Sequence, residues 1–232
     1  MATVQAVYRD RSKGAVVMRE DIIQKILEEK LIVIVRGLEK DKMIPLAEAM
    51  YEGGIRLIEV TYSANGSIPD EVTAECIRSI QEHFGGKMLV GAGTVLNEKQ
   101  VEMTKAAGGS FIISPNVKEA VIKKTRELDM VSMPGALTPT EIEDAHEMGA
   151  DFVKLFPVST LGPEYVKAVC APLSHIRLLA VGGVDHNNLK DYLKVGVCGF
   201  GMASNIVDKK MVAEGNYAGI TELARCYVEA VK

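Results

Sequence analysis

Leu31-Ile32-Val33-Ile34-Val35-Arg36 leads through the 3.6-periodic stretch Met43–Tyr51 and the pair Gly53-Gly54 into Ile55-Arg56-Leu57-Ile58-Glu59-Val60-Thr61. A short, almost wholly apolar run predicts a strand buried on both faces, and the periodic stretch after it predicts an amphipathic helix. Two glycines before the next apolar run suit a helix C-terminus that turns back toward a strand. This segment is therefore one strand–helix–strand unit with parallel strands.

The same grammar recurs along the chain. Strands are expected at Leu31–Arg36, Ile55–Thr61, Lys87–Gly91, Phe111–Ser114, Met130–Met133, Phe152–Phe156, Leu178–Val181 and Val197–Gly201. Helical stretches lie between them at Met43–Tyr51, Glu71–His83, Glu98–Ala107, Lys118–Leu128, Pro139–Met148, Pro163–Ala171 and Asn188–Lys194, with a last one near Ile220–Val231. Eight strand–helix repeats predict an α/β fold, a (β/α)8 TIM barrel, with an additional N-terminal helix over residues 19–30. An open doubly wound sheet is the alternative, but no GxGxxG follows the first strand. The organisation read from this pattern is an N-terminal extension at 1–18 and a single barrel domain at 19–232.

Composition agrees. The 232 residues are 47% hydrophobic and 25% charged with a net charge of −4, which excludes a disordered chain. Aromatic residues make up 5% and Trp is absent, so neither a basic face nor stacking platforms point to nucleic acid. No apolar run is long enough to predict a membrane span, and the start lacks a signal-peptide core. Cys76, Cys170, Cys198 and Cys226 are scattered, with no CxxC and no metal-ligand spacing. A reduced, cytoplasmic protein without a metal or other cofactor is expected.

Barrels of this kind keep their chemistry at the C-terminal ends of the strands. Two residues there are costly to place in a core: Glu59 and Lys154, the latter within Phe152-Val153-Lys154-Leu155-Phe156-Pro157. Alternation puts Lys154 on one face with Phe152 and Phe156, and Glu59 on one face with Leu57 and Thr61. Desolvation lowers a lysine pKa and so yields a neutral, nucleophilic amine suited to Schiff-base formation. A carboxyl with a raised pKa can move the protons that imine and enamine chemistry requires. The plainer reading is a structural ion pair between the two. Val181-Gly182-Gly183-Val184 and Gly199-Phe200-Gly201-Met202 follow the last two strands, where barrels commonly hold phosphate on bare backbone amides. Thr138-Pro139-Thr140-Glu141 reads as a capped helix start. From these residues alone, three readings stay open: a lysine-dependent lyase, a phosphosugar epimerase or isomerase using proton transfer only, and a non-catalytic anion binder.

With these residues in place, the chain resembles the 2-keto-3-deoxy-6-phosphogluconate / 4-hydroxy-2-oxoglutarate aldolase family over roughly residues 20–230. The likeness rests on Glu52–Thr61, Gly91-Ala92-Gly93-Thr94-Val95-Leu96, Ile113-Ser114-Pro115, Met133-Pro134-Gly135, Lys154-Leu155-Phe156-Pro157 and Gly182-Gly183-Val184. The resemblance implies a class I aldolase that cleaves a 2-keto-4-hydroxy acid to pyruvate and an aldehyde. The expected substrate is 2-keto-3-deoxy-6-phosphogluconate, giving glyceraldehyde 3-phosphate, with 4-hydroxy-2-oxoglutarate as the alternative. It implies Lys154 as the Schiff-base residue, Glu59 as general acid and base, and Thr94 at the pyruvyl carboxylate. Pro115 and Phe156 would shape the pocket, and Arg36 would meet the distal anion beside Gly182, Gly183, Gly201 and Met202. It further implies a homotrimer that needs no metal.

Three positions depart from the family pattern. Ser63 stands where well-studied members carry an arginine, Val181 where a threonine precedes the glycine pair, and Met202 where the last loop has a serine, with Ser204 nearby. Each lost donor weakens anion recognition by ~1–3 kcal/mol.

Overall fold

The computed structural model describes residues 18–232, so the expected extension at 1–18 lies almost wholly outside the described residues. Nine parallel strand segments run through it: β1 (Leu31–Val35), β2 (Leu57–Thr61), β3 (Leu89–Gly93), β4 (Phe111–Ile113), β5 (Val131–Met133), β6 (Gly135–Ala136), β7 (Val153–Leu155), β8 (Leu178–Val181) and β9 (Gly199–Met202). Ten helices accompany them: α1 (Arg19–Glu29), α2 (Lys40–Glu52), α3 (Asp70–Phe84), α4 (Glu98–Ala106), α5 (Glu119–Glu127), α6 (Pro139–Glu147), α7 (Gly162–Cys170), α8 (Leu189–Lys194), α9 (Lys209–Ala213) and α10 (Tyr217–Ala230).

Nine segments still make eight barrel positions. The order is β5-β4-β3-β2-β1-β9-β8-β7-β6, and β5 and β6 are halves of one strand separated by Pro134. Proline has no N–H to give a ladder, so the regular pairing breaks there. The carbonyls on either side carry the closure: Phe152 N donates to Ser132 O at 3.3 Å, and Lys154 N donates to Pro134 O at 2.8 Å. The expectation of eight unbroken strands is corrected at this point only.

Two further expectations shift. The third strand is Leu89–Gly93 rather than Lys87–Gly91, and the short helix α9 was not expected. Gly91, already inside the expected strand, and Gly93, beyond its expected end, both give interior space to a neighbouring side chain. A Cβ on Gly91 would lie 2.2 Å from the Phe111 ring, so Gly91 is a strand residue that yields interior space to its neighbour. The expected capped start of α6 is present: Glu141 N donates to Thr138 Oγ1 at 3.3 Å, and Thr138 N to Glu141 Oε2 at 2.8 Å.

Two apolar layers result. Outward-facing residues such as Val33, Ile58, Val90 and Leu155 pack beneath the helices. Inward-facing Leu57, Phe111, Val131, Phe152 and Leu179 fill the lower barrel together with Ile22, Ile23 and Ile26 of α1. This added helix closes the end of the barrel away from the C-terminal strand ends. Arg19 and Arg126 both pair with the buried Asp151, whose carboxylate also accepts Ser132 N at 2.9 Å, fixing α1 to the barrel wall. With its lower end packed, the barrel opens upward.

Candidate active site

A cavity of about 620 Å³ occupies the upper end, within the ~300–1,000 Å³ usual for small-molecule sites. Of the residues singled out in the sequence, Arg36, Thr94, Pro115, Lys154, Phe156, Gly182, Gly183, Gly201 and Met202 all line it. Glu59 does not reach the cavity wall and lies within the barrel at 1% exposure. Gly201 and Met202 belong to β9 itself rather than to the loop after it.

Lys154 is held by the middle of β7, where its backbone is in register with Gly135 of β6 and Leu179 of β8. Its side chain is 9% exposed, and its Nζ stands 4.9 Å from the centroid of the Phe156 ring. The two phenyl rings that bracket it in sequence play different parts. Phe156 is 41% exposed and forms the cavity wall, whereas Phe152 is fully buried in the layer below.

Glu59 projects inward from β2, opposite Ile34 and Gly91. A Cβ on Gly93 would fall 1.6 Å from its Oε1, so the bare backbone of Gly93 makes the space the carboxyl occupies. Its Oε2 is buried without a hydrogen-bond partner. Burial pushes the Glu59 carboxyl above the ordinary carboxylate range, with the positive charges of Lys154 and Arg36 pulling the other way. Burial likewise holds the Lys154 ammonium below the ordinary lysine value, opposed by Glu59 and reinforced by Arg36. No salt bridge joins the two among the described residues, so the purely structural ion pair is not the arrangement found.

Around this pair the backbone is strained where it meets the cavity. Thr94 sits at φ +55°, a left-handed conformation rare for a β-branched residue and one that costs about 1–3 kcal/mol. This turns its hydroxyl toward Arg36, whose Nη2 is 3.5 Å away. Gly182 and Gly183 have φ +83° and +88°. A Cβ on Gly183 would lie 2.3 Å from that of Ser159, so only glycine gives this loop both its turn and its room.

Sequence reasoning missed Asn205 and Lys209 on the wall beyond Gly182, Gly183 and Ser204. Lys209 forms no ion pair among the described residues. A lysine starting a five-residue helix carries no periodic signal, and only its place beside the glycine pair distinguishes it. Among the described residues there is no cluster of three or more potential metal ligands, and no helix is long and apolar enough to cross a membrane.

Comparison with known proteins points to one family. The family model described as Aldolase: KDPG and KHG aldolase matches residues 22–223. The 2-dehydro-3-deoxy-phosphogluconate aldolase of Haemophilus influenzae is 30% identical over 92% of this chain and 98% of its own. The 2-dehydro-3-deoxy-6-phosphogalactonate aldolase of Escherichia coli is 33% identical over 87% of this chain and 96% of its own. A solved structure of KDPG aldolase from Legionella pneumophila, with pyruvate captured as a covalent carbinolamine, superposes with a TM-score of 0.78 at 27% identity, covering 88% of this chain and 95% of that one.

Proposed function

Given that the chain belongs to the KDPG and KHG aldolase family, we propose that it is a class I aldolase that cleaves 2-keto-3-deoxy-6-phosphogluconate to pyruvate and glyceraldehyde 3-phosphate through a Schiff base on Lys154. The observation that carries this reading is a single buried amine on the cavity wall, depressed in pKa, with a buried and elevated carboxyl close enough to influence its charge. The carbinolamine in the Legionella relative supports the same first step.

The steps follow from these groups. Neutral Lys154 adds to the C2 carbonyl, and the carbinolamine loses water to give the iminium ion. Glu59 takes the proton of the C4 hydroxyl as the C3–C4 bond breaks. The bond's electrons pass into the iminium as an enamine, and the aldehyde departs. Glu59 returns the proton to C3, and water then hydrolyses the imine to free pyruvate and the amine. Thr94 faces the carboxylate at C1, while Arg36, Gly182, Gly183, Ser204 and Lys209 form the wall that receives the distal phosphate.

Pyruvate release should be measured from the phosphorylated six-carbon acid, from its C4 epimer and from 4-hydroxy-2-oxoglutarate. Highest kcat/KM on the first is the expected result. Proton exchange on a phosphosugar without pyruvate release from any of the three would instead favour an isomerase.

Two measurements probe the assignment of groups. Formation of the pyruvate adduct should accelerate with pH and level off below pH 10.5, because burial lowers the Lys154 pKa. A rate still climbing beyond that value would mean an amine in ordinary solvent. Lys209→Met should raise KM for the phosphorylated acid by roughly threefold to tenfold, the equivalent of about 1 kcal/mol from one exposed charge. It should leave the pyruvate half-saturation alone. We also read the protein as cytoplasmic, on its scattered cysteines, and as a homotrimer, on the family resemblance; a monomer mass by sedimentation would overturn the second.

A further inference from the structure

Thr94 keeps its left-handed conformation on the cavity wall, and a β-branched residue stays there only when its surroundings hold it. The bonds that hold it come from the residues just after it. Val95 N donates to Ile113 O at 3.3 Å, and Leu96 O accepts from Lys118 Nζ at 2.8 Å. Leu96 N donates to a side chain instead, that of Gln100, whose Oε1 is 2.8 Å away.

Glutamine is mostly a surface residue, yet Gln100, in the first turn of α4, is 5% exposed. Every polar group it carries has a partner. Its Nε2 donates to both carboxylate oxygens of Asp70, the first residue of α3, at 3.2 Å each. Its own N–H donates to Asn97 Oδ1 at 2.9 Å, and its carbonyl accepts from Tyr62 Oη at 3.2 Å and Thr104 Oγ1 at 2.7 Å. Tyr62 N in turn donates to Gly93 O at 2.9 Å, one residue before Thr94. Gln100 therefore ties the loop that carries Thr94 to α3 and to the end of β2, although it does not itself line the cavity.

We propose that Gln100 is a positioning residue for the carboxylate end of the 2-oxo acid: by fixing Leu96 N it keeps Thr94 in the strained conformation that faces C1. The proposal rests on the Schiff-base reading and deepens it, since Gln100 acts only through Thr94. Without the Gln100 acceptor, Leu96 N loses its partner, and Thr94 relaxes toward an ordinary backbone angle. A site that is competent in only a fraction of the molecules binds more weakly by that fraction. Lys154, on β7 across the barrel, shares none of these bonds and keeps its reactivity toward a ketone.

Pyruvate and acetone separate the two effects, because they offer the amine a ketone with and without a carboxylate. Each is incubated at low concentration with the full-length protein and cyanoborohydride, and the initial rate of the reduced adduct on the Lys154 peptide is followed by mass spectrometry. Gln100→Met, close in volume but without the hydrogen bonds, should slow the pyruvate adduct about tenfold and leave the acetone adduct within about twofold. An equal fall with both ketones, or no fall with pyruvate, overturns the proposal whatever the melting temperature does. Gln100→Glu gives a second reading that does not depend on the folding of the first variant. At mildly acidic pH its new carboxyl, beside Asp70, is protonated, so it accepts from Leu96 N and donates to Asp70. The pyruvate-to-acetone ratio should then match that of the unaltered protein. At alkaline pH the two carboxylates repel, and the ratio should fall about fivefold to tenfold below that of the unaltered protein at the same pH. A ratio that stays with the unaltered protein at both pH values overturns the proposal alone. Absence of a pyruvate adduct on Lys154 in the unaltered protein overturns the Schiff-base reading with it.

Discussion

Lys154→Met should abolish turnover and the borohydride-trapped adduct together, and should raise the melting temperature. The chemical loss is complete because a thioether cannot form an imine, and no other lysine among the described residues shares the depth of Lys154 in the cavity. The gain in stability has the opposite origin. A buried amine with a lowered pKa contributes stability at pH above its unfolded value and loses it as pH falls through the folded one. Met fills a similar volume without that loss, and replacing buried charge by packed apolar groups commonly stabilises by about 1–4 kcal/mol. Each kcal/mol corresponds to roughly 2–4 °C in a protein of this size. The rise should therefore be largest toward acid pH. A variant that retains turnover removes Lys154 from the chemistry, and one that melts well below the parent makes it a structural residue.

Glu59→Gln should cut turnover by about 10²–10⁴-fold, the range usual for a positioned general acid–base. The adduct with pyruvate should still form, more slowly, because Lys154 remains. The fold should not suffer. A carboxyl whose folded pKa is raised contributes stability below its unfolded value and loses it as pH rises through the folded one, and Gln has no charge to penalise. Gly93→Ala reaches the same carboxyl from the neighbouring strand. Its new Cβ would fall 1.6 Å from Glu59 Oε1 and 2.3 Å from Glu59 Cδ, so the carboxyl must move, and loss of activity should accompany a destabilisation of about 1–3 kcal/mol. Stopped-flow cleavage assays and thermal melts on both variants decide the matter. Near-parental turnover in Glu59→Gln would assign proton transfer to another group.

Much of this was legible in the chain because the barrel repeats its grammar. Apolar runs, periodic helices and glycines before strands recur often enough to count eight positions. The two interior charges stand out because each interrupts a strand that is otherwise hydrophobic. Departures from expectation arose where a residue serves a neighbour rather than its own element. Gly93 falls past the expected end of the third strand at Gly91, yet it sits in β3 and makes room for Glu59, as Gly91 does for Phe111. Pro134 reads as the end of a strand, although the strand resumes at Gly135 because flanking carbonyls maintain the pairing. The strain at Thr94 and the unpaired hydroxyl of Thr61 depend on backbone angles and on distant partners, for which local sequence carries no signal. Lys209 is the same kind of case, a common surface residue whose meaning comes from what lies across the cavity.

The most direct test is to incubate the unaltered protein with pyruvate, reduce with borohydride and map the modified peptide. The account predicts one reduced pyruvyl group, on Lys154. No modification, or a modification on any other lysine, would contradict it.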